Sequence, residues 1–382
     1  MGWVDAMTKL LSSFSVAIEN LPHIAVAYSD AVAARVLGEV WKRLAAIFGT
    51  EMWNVCQRSW GVSLDFCGDD VSNSLRADAV EFALVTASRR PVTIGSHLIL
   101  PCLGVSFDAM VRLETSVALN ASQYRLDMCA AALAYGALCA GNIHFAEQPI
   151  TRCGGQAEPL YNECLARLIG DEGSVILTGT YLGALERLGV VRGFDREVVC
   201  EVLRQLHIRP DAVLGCNISG MSVVRDIWWT SILDELTRFP DVAERLVIEI
   251  TETAPLPDVA DALVFIAALR RTGVRVALDD FGVGNSSLSF AREARVDIIK
   301  IDRSFVRGRE TGDGGQHRLR HLIGLVRDFT AAVVVEGIEN DADLKVATDA
   351  GADWFQGYYF QRPELPEHAS DRAVYAETGR LY

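Results

Sequence analysis

Two adjacent carboxylates follow the short apolar run VRVAL at residues 274–278, namely Asp279 and Asp280. Neighbouring carboxylates repel each other and lose hydration on burial, so a fold gains little from such a pair unless a cation is nearby. The next residues, FGVGNSSL, supply two glycines for a sharp turn and two serines that can cap a helix. The pair therefore predicts a cation site at the end of a strand, provided that other ligands lie close by.

Further polar residues stand at or near the ends of other strand-like runs. A single acidic residue after a strand is usually a helix cap or a turn former. Here several lie just inside a run, where an apolar residue would otherwise continue. The set is rich in oxygen donors and has no cysteine pair and no clustered histidine, so it suits Mg²⁺ or Mn²⁺ better than zinc. Its members are Glu163, Asn217, Glu249, Glu252, Lys300, Asp302, Glu336, Glu339 and Gln356.

The apolar runs that would position these residues alternate with helix-like segments, such as 258–272 and 316–329. Alternating strands and helices indicate a mostly parallel sheet with right-handed crossovers. Seven runs, with an eighth near 174–177, predict an α/β fold of the (β/α)₈ TIM-like barrel type, in which the strand ends converge on one mouth. A doubly wound sheet is the alternative. The seven runs are 160–168, 212–218, 246–250, 275–278, 298–301, 332–335 and 354–360.

A change in composition and in hydrophobic periodicity separates two predicted domains. The segment QPITRCGGQAEP, at residues 148–159, is rich in glycine and proline and lacks periodicity, which is typical of a linker. Before it, helical spacing at 31–48, strand-like runs at 92–107 and an Ala-rich helix at 128–140 predict a smaller α/β sandwich. The predicted domains are therefore 1–147 and 159–382, joined by a linker at 148–158.

Composition excludes some classes of function. A net charge of −14 and a pI of about 5.0 argue against broad nucleic-acid binding, which needs a basic face. A small anionic substrate is still possible because bound divalent ions reverse the local charge. Nine scattered cysteines without a C-x-x-C pair predict reduced, buried thiols. With no apolar stretch of about 20 residues and no basic n-region, we expect a cytoplasmic chain without a membrane segment or signal peptide, although a sensory or membrane segment upstream stays possible.

The ordered motifs resemble the EAL domain, the family of bacterial cyclic di-GMP phosphodiesterases. The resemblance spans about residues 158–365 and rests on ECLAR, CNIS, EITE, DDFGVGNSSL, KIDRSF, VEGIE and QGYYF. It implies a (β/α)₈-type barrel with one antiparallel strand and two bound divalent ions, Mg²⁺ or Mn²⁺. It also implies hydrolysis of cyclic di-GMP to linear pGpG, which lowers the level of this second messenger.

The resemblance also implies roles for individual residues. Lys300 matches the lysine beside the attacking water, and Glu252 matches the residue that braces the DDFG loop; together with Glu163 they are the expected catalytic residues. Asp279 would bridge the two metals. The expected metal ligands are Glu163, Asn217, Glu249, Asp279, Asp280, Asp302 and Glu336. The expected substrate-binding residues are Leu165, Arg167 and Gln356. The signature has Cys164 in place of alanine, and the loop has Val283 and Asn285 in place of threonine and tyrosine. These loop changes remove no ligand, and the resemblance implies that they could weaken loop positioning or dimer coupling.

The N-terminal residues resemble the GGDEF, or diguanylate cyclase, domain in position and texture. The similar segments are AVAARVLGEVWKRL, TIGSHLILPCLGVSF and AAALAYGALCAGNIHF. The GGDEF signature is replaced by SWGVSLDF at residues 59–66, which lacks the contiguous carboxylate pair needed to hold metal. Asp69 and Asp70 come too late for the hairpin turn, and no R-x-x-D motif precedes it. A degenerate GGDEF-like domain with a regulatory or dimerising role, without cyclase activity, is therefore predicted, and a homodimer is expected.

Two functions other than the phosphodiesterase stay open for the C-terminal domain. One is a catalytically inactive receptor that binds cyclic di-GMP. The other is a Mg²⁺-dependent lyase that uses Lys300 as its base. We expect Trp228 and Trp229 to belong to a helix face rather than to a guanine-stacking platform. We expect surface or satisfied side chains, not metal ligands, at His23, His97 and His144.

Overall fold

The computed structural model describes residues 10–11, 13–51, 53–67, 75–106, 120–153, 158–170, 174–251, 254–283, 288–307 and 314–365. The chain divides into two compact units. We call Met1–Asn142 with Gly170–Gly193 the N-terminal unit, and Ile143–Ile169 with Phe194–Tyr382 the C-terminal unit. Within the described residues, no helix has the length and apolar character needed to cross a membrane.

All nine cysteine thiols are free, as predicted, but the expectation that they are buried is wrong for most of them. Only Cys164 and Cys216, on strands of the C-terminal unit, are buried. The others lie on the outer sides of helices and strands or in loops, which a local apolar context does not reveal. The five exposed cysteines are Cys67, Cys129, Cys139, Cys153 and Cys200.

The N-terminal unit contains a four-stranded antiparallel sheet in the order β3–β4–β2–β8. Its strands are β1 Leu10–Leu11, β2 Ser13–Ile18, β3 Trp53–Arg58, β4 Gly61–Phe66, β5 Leu75–Arg76, β6 Val92–Ile94, β7 His97–Ile99, β8 Leu103–Ser106 and β11 Val175–Leu177. Its helices are α1 Leu21–Ala27, α2 Asp30–Phe48, α3 Ala77–Ser88, α4 Ala121–Cys139 and α5 Leu182–Arg187, with a 3₁₀ turn at Thr178–Thr180. The segment that replaces the signature, 59–66, forms the β3–β4 turn and β4; Asp69 and Asp70 lie outside the described residues.

Eight strands of a curled sheet organise the C-terminal unit. The strands are β9 Ile143–Ile150, β10 Tyr161–Ile169, β12 Leu214–Ser219, β13 Leu246–Thr251, β14 Arg275–Phe281, β15 Ile298–Ile301, β16 Ala332–Val335 and β17 Trp354–Phe355. From β10 to β17 they pair in parallel and in chain order, which favours the predicted barrel, since a doubly wound sheet reverses its order at a switch point. The α/β fold is consistent with an EAL-type, TIM-like barrel.

β9 begins before the predicted linker. It pairs antiparallel with β10 from Ile143 onward, and Thr151, just beyond its end, exchanges two backbone hydrogen bonds with Phe355 of β17. Residues 148–150, which we predicted as the start of a linker, therefore belong to a strand, while 154–157 lie outside the described residues. Pro149 and the nearby glycines made this end of the strand look like a linker in sequence, since proline and glycine are uncommon inside strands.

Helices follow the strands of the C-terminal unit, as the alternating pattern predicts. They are α6 Val191–Ile208, α7 Ile227–Arg238, α8 Pro240–Ala243, α9 Val259–Arg271, α10 Leu288–Ala294, α11 Gly314–Arg327 and α12 Asp341–Asp349, with 3₁₀ turns at Gly220–Ser222 and Arg303–Phe305. α9 illustrates the local rules: the Asp258 side chain caps it by accepting from the Asp261 N–H. Phe265, Ile266 and Leu269 form its buried stripe. Trp228 and Trp229 lie on α7 and are buried, as expected for a helix face.

Candidate metal centre

The first ligand candidates lie side by side because neighbouring strands are in register. Asn217 on β12 is paired with Glu249 on β13, and Glu163 on β10 is opposite Gly215, two residues before Asn217. The Asn217 Nδ2 atom donates to Glu163 Oε1 over 2.5 Å. Glu163 and Glu249 are both buried, and Glu249 is fully inaccessible to solvent. Apolar strands thus carry carboxylates into the interior of the unit at one end of the sheet.

Asp279 and Asp280 both reach this region because β14 is irregular where they stand. Successive side chains of a regular strand point to opposite faces, so two adjacent residues would not share a site. The pairing register between β14 and β15 shifts between Leu278 and Phe281, and Asp280 adopts a left-handed φ of 54°. This bulge breaks the alternation. Asp279, Asp280 and Glu336, at the end of β16, consequently have carboxylate oxygens within 4.8 Å of one another.

Gly282 allows the chain to turn directly after the carboxylate pair. Its φ is 100°, and a Cβ there would lie 2.7 Å from the Phe305 ring. Only glycine combines this conformation with so little space. Val283, the next residue, is 57% exposed, whereas Asn285 lies outside the described residues.

Lys300 lies at the centre of the carboxylates and is fully buried. Its Nζ atom donates a hydrogen bond to Glu163 over 3.1 Å and forms ion pairs with three further carboxylates. The ion-pair distances are 2.6 Å to Glu249, 3.1 Å to Asp279 and 2.9 Å to Glu336. One ammonium therefore faces four carboxyl groups, and its single charge offsets at most one of theirs.

Gln356, directly after β17, orients Glu163, and Gln148 on β9 in turn holds Gln356. Gln356 Nε2 donates to Glu163 Oε2 over 2.5 Å and also to Gln148 Oε1 over 3.1 Å. Gln148 Nε2 in turn donates to the Gln361 carbonyl over 2.9 Å. Our sequence reasoning missed Gln148 because it placed this residue in the linker; recognising β9 as a strand is the signal that would have found it.

Burial and mutual repulsion dominate the protonation of the cluster. Burial raises the pKa of Glu249 well above its usual value, with a further contribution from Glu163, and it does the same for Glu336 with a contribution from Asp279. Burial and the adjacent Asp279 raise the pKa of Asp280 to about 6. Glu163 is the exception, because Lys300 and its other hydrogen-bond donors outweigh burial and lower its pKa.

The donors form two groups that share Asp279. One group comprises Glu163, Glu249 and Asp279, the other Asp279, Asp280 and Glu336, and within each group one oxygen per residue lies within 4.8 Å of the others. Asn217 Oδ1 and Glu249 Oε1 are buried without a hydrogen-bond partner among the described residues, so free acceptor atoms are available. Carboxylate and amide oxygens are the ligands that Mg²⁺ and Mn²⁺ prefer. The residues present therefore fit two divalent ions.

The remaining predicted residues have other positions. Leu165 and Arg167 follow Glu163 at two-residue spacing on β10, so they share its face toward the strand's carboxyl end, and both are half-buried. Asp302 follows β15 and accepts from the Ser304 N–H over 2.8 Å, which is the position of a helix cap. It is absent from both ligand groups found among the described residues. Glu252 lies outside the described residues.

The model of the family described as "EAL domain" matches residues 134–363, which is more than half of the chain. The chain belongs to the EAL domain family. The match begins before β9, in agreement with a sheet that starts earlier than the predicted linker.

Two individual comparisons agree with membership of the EAL family. The probable cyclic di-GMP phosphodiesterase PdeG of Escherichia coli K12 is 31% identical over 212 residues, which cover 53% of this chain and 41% of PdeG. The chain spans less than half the length of the curated relatives it matches. The structure of the PaMucR phosphodiesterase in complex with c-di-GMP is 25% identical, with a TM-score of 0.54, and covers 61% of this chain and 95% of that one.

A third comparison extends beyond the EAL region. The S helix–GGDEF–EAL structure of Vibrio cholerae LapD, bound to c-di-GMP, covers 91% of this chain and 89% of its own, with a TM-score of 0.56. At 17% identity this similarity is one of fold alone.

Proposed function

We propose that the C-terminal unit is a metal-dependent phosphodiesterase that hydrolyses cyclic di-GMP to linear pGpG. The observation that carries this proposal is the presence of two clusters of three carboxylate residues, which share Asp279 and lie beside the buried Lys300. Membership of the EAL family supports the reaction class. The names of PdeG and of the PaMucR complex support cyclic di-GMP as the substrate.

The two ligand groups that share Asp279 support the roles proposed for the individual residues. Asp279 would bridge two divalent ions, one held with Glu163, Asn217 and Glu249, the other with Asp280 and Glu336. Such ions, when bound, lower the pKa of water so that a nucleophile forms near neutral pH, and they offset the charge of the phosphodiester.

The chain's other side chains would orient these ligands and the substrate. Lys300 keeps its proton among the carboxylates and donates to Glu163, which fixes the direction of that ligand. Gln356 holds the same carboxylate from its other side. Leu165 and Arg167 would contact the substrate, with the arginine at a phosphate. The bracing role of Glu252 and the ligand role of Asp302 stay predictions.

The test is turnover of cyclic di-GMP by the purified chain with Mg²⁺, with Mn²⁺ and with a chelator. We expect pGpG only in the presence of metal. Glu163→Gln keeps the shape of the side chain but removes its charge. Because even residues that only support a ligand change activity 10–100-fold, it should lower turnover at least about 100-fold. Glu201→Gln, the same change on α6, is the matched control and should retain activity.

Either negative result would change the assignment. Tight binding of cyclic di-GMP without turnover would favour the inactive receptor. If the chain neither binds nor hydrolyses cyclic di-GMP in the presence of metal, the proposed substrate is wrong.

We also propose that the part of the chain before β9 includes a degenerate GGDEF-like regulatory domain, that the EAL domain begins with β9 rather than at residue 159, and that the chain forms a homodimer. The fold similarity to LapD and the absence of a carboxylate pair in the β3–β4 turn support this organisation. We expect no conversion of GTP to cyclic di-GMP by the purified chain. Light scattering should give the mass of two chains; a single-chain mass at all concentrations would contradict the dimer.

A further inference from the structure

Two histidines stand one turn apart on α11, outside the carboxylate cluster. His317 and His321 occupy positions i and i+4, which are neighbours on a helix surface. Their ring centroids are 6.3 Å apart, and the ring planes differ by only 29°. Both side chains therefore extend from the same side of the helix.

The packing of α11 determines which way this pair faces. Leu319, Ile323 and Val326 are buried and form the inner face of the helix. His317 and His321 are exposed, and neither imidazole has a hydrogen-bond or ion-pair partner among the described residues. Nothing described competes for their nitrogen atoms, and solvent can complete the coordination of a bound ion.

We propose that His317 and His321 form a bidentate surface site for a borderline transition metal ion of the Zn²⁺, Ni²⁺ or Cu²⁺ class. Imidazole nitrogen binds these ions at about 2.0–2.1 Å, and rotation about the side-chain bonds lets two imidazoles at i and i+4 converge on one ion. Mg²⁺ takes oxygen ligands, so this site differs in chemistry from the carboxylate centre. The inference does not depend on the proposed phosphodiesterase activity.

Cu²⁺ is the most informative probe, because it heads the affinity order for such sites and its electron paramagnetic resonance spectrum reports coordinated nitrogen. The exposed thiols of the full chain are first alkylated with iodoacetamide, because free thiols would bind and reduce Cu²⁺. The alkylated chain is then titrated with Cu²⁺ in excess Mg²⁺, so that the carboxylate centre is occupied by an ion that imidazoles do not bind. We expect one tight Cu²⁺ with two coordinated nitrogens. Under the same conditions Zn²⁺ should raise the unfolding temperature, since it binds the folded helix.

The single substitutions His317→Gln and His321→Gln each remove one of the two imidazoles. Glutamine preserves the helix because it is a good helix former and both positions are exposed. Each change should leave one coordinated nitrogen and weaken Cu²⁺ binding at least about tenfold, because the second ligand no longer binds within the same molecule. His207→Gln is the matched control, since His207 is a single histidine on α6 paired with Glu235 at 3.2 Å. A copper spectrum with oxygen ligands only, or one that neither α11 substitution alters, would overturn the proposal.

Discussion

Lys300 is the residue on which the carboxylate cluster depends before any cation binds. Its side chain is 1% exposed, and its Nζ atom lies within 3.1 Å of oxygens from four carboxyl groups. Burial alone would lower the pKa of the amine, but Asp279 and the other three carboxyl groups outweigh burial and raise it well above the usual value. Lys300 therefore carries its charge into the interior as an internal counter-ion.

Replacing this counter-ion should affect both activity and stability. We expect Lys300→Met, which keeps much of the side-chain volume, to abolish turnover. In chelator, the free energy of unfolding should fall by about 3–5 kcal/mol, because the substitution leaves buried carboxylates without their partner. Mn²⁺ should stabilise the variant more than the wild type, since the ion replaces the missing charge. Denaturant titrations with and without Mn²⁺ measure both effects.

Lys345→Met is the matched control for this experiment. Lys345 pairs with Asp349 on α12 over 3.0 Å, but its side chain is 76% exposed, so its loss should change stability by less than about 0.5 kcal/mol. Equal unfolding curves for the two variants in chelator would show that the carboxylates do not need Lys300.

At the scale of elements, close approach of β10, β12 and β13 positions the first ligands. A Cβ at Gly215 would lie 2.5 Å from the Tyr161 ring and 2.6 Å from Glu249 Oε1. Gly215→Ala should therefore displace Glu249 and cost about 1–3 kcal/mol of stability, as overpacking of a core does. We expect turnover and metal affinity to fall together, measured by kinetics and by calorimetric titration with Mn²⁺.

Gly324→Ala provides the control within the same unit. Gly324 lies inside α11, and nothing is within 4 Å of an added Cβ. Alanine should stabilise this helix by about 0.5–1 kcal/mol without changing turnover. If Gly215→Ala behaved in the same way, the tight packing of the three strands would not determine the position of Glu249.

An ion pair between the buried Asp127 and the largely exposed side chain of Arg187 connects α4 and α5 in the N-terminal unit. Asp127 is 5% exposed and accepts from Arg187 Nε over 2.9 Å and from Arg187 Nη2 over 2.7 Å. The hydrogen bonds from Arg187 lower the pKa of Asp127 despite its burial. Asp127→Asn should reduce the free energy of unfolding by about 1–3 kcal/mol at neutral pH.

The pH dependence of this difference provides a check. Because the folded-state pKa of Asp127 is depressed, its stabilising contribution is fully present above the unfolded-state value of about 3.9 and is lost as the pH falls through the folded-state value. The wild-type and Asp127→Asn chains should thus converge in stability in acid, as measured by unfolding curves at several pH values. A difference that stayed constant into acid would argue against a role for the charge.

At the scale of the whole molecule, the chain has two compact units, and the ligand groups belong to one of them. An ion that binds only the folded C-terminal unit should shift the unfolding of that unit, by about 2.7 kcal/mol when its concentration is 100 times Kd. Tryptophans report on both units, with Trp53 in the N-terminal one and Trp228 and Trp229 in the other. Calorimetry in Mn²⁺ and in chelator should show one shifted transition, and Asp279→Asn should remove the shift. Equal shifts of all transitions would contradict this assignment.

Much of the parallel sheet could be predicted from the sequence. The strands Ile298–Ile301 and Ala332–Val335 lie where their apolar runs predict them, because a strand buried on both faces is a continuous apolar segment. The ligand types could also be predicted, since polar residues at the ends of such runs have few structural reasons to be there. The predicted run at 354–360 was too long: only Trp354–Phe355 is strand, Gln356 follows it directly, and residues 357–360 form a bend and a turn.

Only the tertiary structure decided how these residues meet. β9 is a strand because it pairs with β10, and its mixed sequence, which ends with Pro149 and Ile150, gave no clear local signal for this. Asp279 and Asp280 share a site because a register shift and a left-handed residue break the two-residue alternation of β14. Lys300 becomes the common partner of four carboxylates from distant parts of the chain. The sequence by itself determined which groups are available and where the apolar strands lie, because both depend on local composition. Long-range pairing determined the order of the strands in the sheet, the distances between the polar groups and their charge states.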